Sequence, residues 1–234
     1  MKILAIIPAR SGSKGIPNKN IIDVCGKPLI QYSIESALSL KAKGLIEKVI
    51  ISTDSDTIAQ ISLKLGAEVP FLRPKEISGD KSKSIDFITH AIKSFEDINE
   101  CYDAILLLQP TSPLRKLKYL EKSIKLLKNN LQLDSLISCY REEYINDLVM
   151  YNTDKENINK LNPLNQNHNK GVRRQDHGDV YVRNGAIYLT RVDYLKETNQ
   201  IISNSPLLIE MKKSESINVD SIEDLEILKK IICK

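Results

Sequence analysis

The 234-residue chain carries 34 basic and 30 acidic residues for a net charge of +4. That excess is too slight to imply a nucleic-acid surface, and the length suits one large α/β domain over residues 1–234. The start of the chain lacks a signal-peptide pattern and no apolar run approaches the ~20 residues of a membrane span, so a cytoplasmic protein without membrane contact is expected.

In chain order, Ile3-Leu4-Ala5-Ile6-Ile7 is continuously apolar and stops at Pro8, the pattern of a strand buried on both faces. A loop from Ala9 to Asn20 follows, with two glycines, three cations and no carboxylate. Pro28 then opens a helix whose apolar positions are Leu29, Ile30, Ile34, Ala37 and Leu38. Val49 to Ser52 reads as a second buried strand, Ser55 to Leu65 as a helix closed by Gly66, and Glu68 to Leu72 as a short third strand. Ile85 to Phe95 has a helical apolar face, and Ala104 to Leu108 is another buried strand. A helix near Leu117 to Lys128 precedes a strand from Ser135 to Tyr140. This β-α repetition predicts a doubly wound, mostly parallel sheet.

The stretch from Asn146 to Asp179 is rich in Asn, Asp and Lys and too polar to bury a core, so 141–183 is expected to be a lid or dimerisation excursion. Regular structure resumes with strands at Asn184 to Thr190 and Leu207 to Met211, then a helix from Ser221, where Ser221 and Asp224 have capping-box spacing. Cys25, Cys101, Cys139 and Cys233 form no C-x-x-C pair, so reduced structural thiols are expected and neither a zinc site nor a disulfide framework is signalled.

Several polar groups fall at strand ends, where open α/β sheets bind ligands. Arg10, Lys14 and Lys19 lie in the glycine-containing loop after the first strand, a composition suited to holding a triphosphate. It is neither a Walker loop nor a dinucleotide fingerprint, because neither Gly12 nor Gly15 is followed by the required glycines. Gln109 ends a buried strand at a proline-stiffened turn. Arg73, Ser82 and Ser84 could donate to the O2 and N3 acceptors of cytosine, or could be ordinary surface residues. Arg173 and Arg174 suit bidentate capture of a carboxylate or phosphate. Strand alternation puts Asn218 and Asp220 on one face, where two oxygen donors could share Mg2+. Asp54-Ser55-Asp56 has Asp-x-Asp spacing but also reads as a helix cap with a first-turn acid. His90, His168 and His177 match no hydrolytic pattern.

The stretch IIPARSGSKGIPNKN, from Ile6 to Asn20, resembles the signature of the CMP-sialic acid synthetases, a family that includes CMP-legionaminic acid synthetases, and of the related CMP-Kdo synthetases. LLQPTSPLR, from Leu107 to Arg115, is a second match, and RRQ with RNGAIY a third. The resemblance implies a homodimeric, Mg2+-dependent enzyme that joins CTP to a nonulosonic acid. It implies nucleotide contacts by Ala9, Arg10, Ser13, Lys14, Lys19, Asn20, Arg73, Ser82, Ser84 and Gln109. It implies acceptor contacts by Gln109, Arg174, Gln175, Arg183 and Tyr188, a metal site at Asp220 and Asn218, and catalytic roles for Arg10, Lys14 and Asp220. Where the family commonly has two aspartates, this chain has Asn218 and Asp220, so a weaker cation site is expected. Rivals are a transferase acting on Kdo or another sugar, and a nucleotide-binding sensor without turnover.

Overall fold

Residues Ile3–Pro8 form β1, buried along its whole length except at Pro8. Burial on both faces requires a layer on each side, and the alternation of side chains sorts them. Ile3, Ala5 and Ile7 pack with Ile30, Ile34, Leu120 and Ile124, while Leu4 and Ile6 pack with Ile88, Ile92, Val192 and Leu195. The computed structural model describes residues 1–13, 15–170 and 178–233.

After β1 come a small hairpin of β2 (Asp23–Val24) and β3 (Lys27–Pro28), then α1 (Leu29–Ala42), β4 (Lys48–Ser52), α2 (Asp56–Lys64), α3 (Ser84–Glu96) and β5 (Ala104–Leu107). The second half comprises α4 (Leu117–Asn129), β6 (Ser135–Glu142), a hairpin of β7 (Tyr151–Thr153) and β8 (Leu161–Pro163), β9 (Val180–Arg191), α5 (Val192–Thr198), β10 (Leu207–Glu210) and α6 (Ile222–Ile232). The central sheet has six strands in the order β10-β6-β9-β5-β1-β4. All run parallel except β9, which is antiparallel to both neighbours.

The chain leaves β1 for β4 on one side and later returns to its other side as β5. That reversal creates a crevice beyond the carboxyl end of β1, where such sheets hold ligands. Among the described residues no helix is long and apolar enough to cross a membrane.

Two expectations are corrected. The segment 68–72 is not a strand of the sheet: Glu68 alone bridges to Ile50, and Pro70, lacking an N–H, cannot extend the ladder. Cys25 and Cys233 are joined by a disulfide with Cα atoms 5.5 Å apart, while Cys101 and Cys139 are free. The pairing joins residues 208 positions apart, so it could not be read from local cysteine spacing. The bond lies at the rim of a small apolar cluster of Ile16, Val24, Leu29, Val219, Leu225 and Leu228. This cluster packs α6 under both the phosphate-type loop and the segment leading to Asp220. Cys233→Ser is expected to lower the unfolding free energy of the oxidised protein by about 2–4 kcal/mol, the usual worth of a bridge closing a long loop. Denaturant melts without reductant check it, and an unchanged midpoint would show that the bridge contributes nothing.

Between Glu142 and Val180, which pair at the ends of β6 and β9, the described residues leave the central sheet, and the short β7–β8 hairpin is exposed along β7. At its root the Glu142 carboxylate accepts from Lys213 Nζ at 2.7 Å and from the N–H groups of Glu143 and Tyr144. These contacts hold its carboxyl down at about 2, well below the usual range.

Candidate functional site

The loop after β1 is held by fixed anchors. Ala9 is fully buried and its N–H donates to the Ser52 carbonyl at 2.9 Å, prolonging the β1–β4 ladder. Ser11 gives both its N–H and its hydroxyl to the Asp54 carboxylate, each at 2.7 Å. Asp54 therefore braces the loop, and the cap of α2 is Ser55, whose hydroxyl accepts from the Ile58 N–H. Asn20, 7% exposed, donates to the Arg10 carbonyl and closes the loop on itself. Gly15 has no substitute: a Cβ there would lie 2.3 Å from the Asp220 carbonyl oxygen, so the loop rests directly on the backbone of the Asp220 segment.

On this frame a polar cleft of about 230 Å³ opens at the carboxyl end of β1, lined by Arg10, Ser13, Lys19, Asn20, Arg73, Ser82, Ser84 and Gln109. Eight of the ten expected nucleotide residues thus converge, and Phe87, Asp80 and Thr111 join them. Ala9 does not line the cleft, and Lys14 lies outside the described residues. Each described cation of the loop already meets an acid. Arg10 Nη1 is 2.7 Å from Asp80 Oδ1, and Lys19 Nζ is 2.8 Å from Asp220 Oδ1.

Arg73 is not a surface residue. It is 5% exposed, donates through Nε and Nη2 to the hydroxyl and carbonyl of Ser52, and stacks on the Phe87 ring at 4.5 Å. Burial lowers its pKa to about 10, so it remains a cation at neutral pH. Its floor position gives the cleft a fixed, planar donor backed by an aromatic ring.

A second cleft of about 390 Å³ lies alongside, lined by Gln109, Tyr140, Arg183, Asn184, Tyr188, Ser216 and Asn218 among others. A bulge builds it. Ile137 of β6 pairs with Tyr188 and Cys139 with Arg183, so two steps on β6 span five on β9. In a regular strand residues five apart face opposite ways. Here the bulge carries the Arg183 guanidinium to 6.0 Å from the centre of the Tyr188 ring. Gly185, at φ +73°, provides the turn, and Asn184 locks it by accepting from the Ser138 hydroxyl at 2.6 Å and donating to the Ser216 hydroxyl. Arg174 and Gln175, the other expected acceptor residues, lie outside the described residues. Gln109 lines both clefts.

The expected metal pair is adjacent in space. Asn218 donates its amide N–H to the Asp220 carboxylate, and the Asn218 Oδ1 is buried without a hydrogen-bond partner. Among the described residues no group of three or more His, Cys, Asp or Glu side chains could hold a cation. One carboxylate and one orphaned amide oxygen fit Mg2+, which commonly takes one or two protein oxygens and completes its shell with phosphates and water.

Asp80, Asn184 and Arg115 are supporting residues that sequence reasoning missed, and Asp54, expected as a cap or metal acid, instead braces the loop. The partners of Asp54, Asp80, Asn184 and Arg115 lie 43, 70, 46 and up to 82 positions away, so no local spacing marks these roles.

Comparison with known proteins bears on the same chain segments. The chain is 34% identical over 229 residues to the pseudaminic acid cytidylyltransferase of Campylobacter jejuni, covering 98% of this chain and 95% of that protein. It is 34% identical over 228 residues to the N-acylneuraminate cytidylyltransferase of Escherichia coli, covering 97% of this chain and 51% of that protein. Its fold is similar, at a TM-score of 0.72 and 19% identity, to a solved structure of CMP:2-keto-3-deoxy-manno-octonic acid synthetase complexed with CTP, covering 100% of this chain and 99% of the other. Residues 4–230 match the family described as Cytidylyltransferase, and the chain belongs to that family.

Proposed function

We propose that the chain couples CTP to the anomeric hydroxyl of a nonulosonic acid, giving a CMP-sugar and pyrophosphate. The observation that carries this is the pair of clefts meeting at Gln109, one floored by Arg73 and rimmed by Arg10 and Lys19, the other presenting Arg183 beside Tyr188. Relatives at equal identity are named for different nine-carbon acids, so identity supports the class of acceptor and leaves the choice within it to the second cleft.

In this reaction a bond forms between the anomeric oxygen and the α-phosphorus, the α–β anhydride bond breaks, and pyrophosphate leaves. Little covalent chemistry falls to the protein; alignment and charge neutralisation dominate. Arg10, Lys14 and Lys19 take the phosphates, Arg73 with Ser82 and Ser84 reads the cytosine, and Asn20 supports the ribose. Gln109, touching both clefts, aligns the hydroxyl with the phosphorus. Arg183, with Arg174 and Gln175, takes the acceptor carboxylate, and Tyr188 supplies a wall for the sugar ring. No side chain in the clefts is assigned as general base, and the hydroxyl proton passes to water. Asp220 and Asn218 would hold Mg2+, which supplies further charge neutralisation at the phosphates.

The 141–183 excursion is assigned to dimer contact or lid closure, on the support of exposed Tyr144, Ile145, Val149, Tyr151, Ile158 and Leu161. Sedimentation of the protein at micromolar concentration checks this, a monomer contradicting the dimer.

The ion pairs at the cleft carry their own expectation. Asp80 and a triphosphate compete for Arg10, and the partly exposed pair is worth about 0.2–1 kcal/mol. Asp80→Asn is therefore expected to tighten CTP binding up to about fivefold in calorimetry. Weaker binding would contradict the competition.

Pyrophosphate release from each of the four nucleoside triphosphates, across a panel of nine-carbon and eight-carbon keto acids, tests the function. CTP with a nine-carbon acid is the expected pair. Preference for an eight-carbon acid would move the assignment to a Kdo-type transferase. CTP binding with no release under any acceptor and saturating Mg2+ would indicate a sensor.

A further inference from the structure

Between the two clefts, the turn Gln109-Pro110-Thr111-Ser112-Pro113 is built around a buried cation. Arg115 is 5% exposed, and its acceptors are all neutral: Nη2 donates to the carbonyls of Gln109 at 2.5 Å and Ser112 at 2.9 Å, and Nη1 to the Ser33 hydroxyl at 3.2 Å. Ser33 in turn donates to the same Gln109 carbonyl. Burial pushes the guanidinium down to about 9, a cost that no carboxylate offsets. A buried cation without a paired carboxylate is costly, so its charge alone does not account for Arg here.

The geometry does. Two carbonyls three residues apart converge on one nitrogen, and a planar fork can hold them while bonding a third group on α1. The clamped carbonyl belongs to Gln109, which lines both clefts. The same turn reaches the other half of the site, since the Thr111 carbonyl accepts from the Val219 N–H at 2.8 Å, between Asn218 and Asp220. Pro110 and Pro113 restrict the turn further but lack the N–H that could tie it to the sheet.

We infer that Arg115 is a positioning residue for the transfer step, holding the Gln109 turn so that its side chain spans the junction of the clefts. This inference rests on the cytidylyltransfer reading above. Arg115 touches neither cleft, so its effect runs through Gln109.

Arg115→Lys keeps the charge and removes the fork. In the wild-type background it is expected to lower kcat about tenfold or more while leaving the calorimetric CTP affinity within about threefold, the signature of lost alignment rather than lost binding. In a Gln109→Ala background the same substitution is expected to change kcat by less than about threefold, because the group it positions is gone. A purely structural role would lower activity equally in both backgrounds. Ser33→Ala, a milder lesion of the same clamp, is expected to show the same split with a smaller loss, and it carries the test if Arg115→Lys does not fold. Wild-type kcat in both Arg115→Lys and Ser33→Ala, equal losses in the two backgrounds, or a loss confined to CTP affinity would each overturn the inference. Absence of pyrophosphate release by the wild-type protein in the same assay would instead remove the functional reading.

Discussion

Arg10→Ala is expected to lower kcat/KM for CTP by about 10²–10³-fold, the cost of removing one preorganised donor from developing phosphate charge. The side chain is about a third exposed and bonds only Asp80 among the described contacts, while the loop is held by Ala9, Ser11 and Asn20 through other atoms. The far-ultraviolet spectrum is therefore expected to match wild type and the unfolding free energy to stay within about 0.5 kcal/mol of it, as for a surface substitution. Because the cation acts on both substrate and leaving group, KM and kcat should both suffer. Steady-state pyrophosphate release measures the effect, and turnover within threefold of wild type would remove Arg10 from the phosphate site.

The second large effect belongs to Asp220, the single carboxylate of the expected metal pair. Asp220→Ala is expected to reduce turnover about 10²-fold and to weaken divalent-cation binding in the CTP complex by at least about tenfold, since Asn218 alone brings no charge. Calorimetric titration with Mg2+, with CTP present, reads the second quantity without turnover. The substitution also releases Lys19, whose Nζ otherwise lies 2.8 Å from the carboxylate. A freed Lys19 can still meet phosphate, so CTP affinity should fall less than cation affinity. Equal losses in both, or unchanged cation affinity with lost turnover, would place the metal elsewhere.

Much of this arrangement was legible because its signals are local. Five apolar residues before Pro8 mark a strand buried on two faces, and the cations after it can only emerge at its carboxyl end. Gln109 was legible for the same reason, as the first polar residue after a buried strand. What escaped were features set by partners far along the chain. Arg73 was expected at the nucleotide site through the family resemblance, but its burial was not legible, because nothing nearby in sequence tells that Phe87 and Ser52 enclose it. Residues 68–72 are apolar enough for a strand, but Pro70 withholds the donor a ladder needs. Arg183 and Tyr188 share a cleft only through the bulge at Gly185, whereas period-two reading puts them on opposite faces. The Cys25–Cys233 bridge joins residues 208 positions apart, a closeness that exists only once α6 packs on the loop.

A crystal of the protein grown with CTP tests the central assignment most directly. The phosphates are expected on Arg10 and Lys19 beyond the end of β1, with the cytosine over Arg73 and Phe87. Phosphate density away from that corner, or a base lying outside the Arg73 floor, would contradict it.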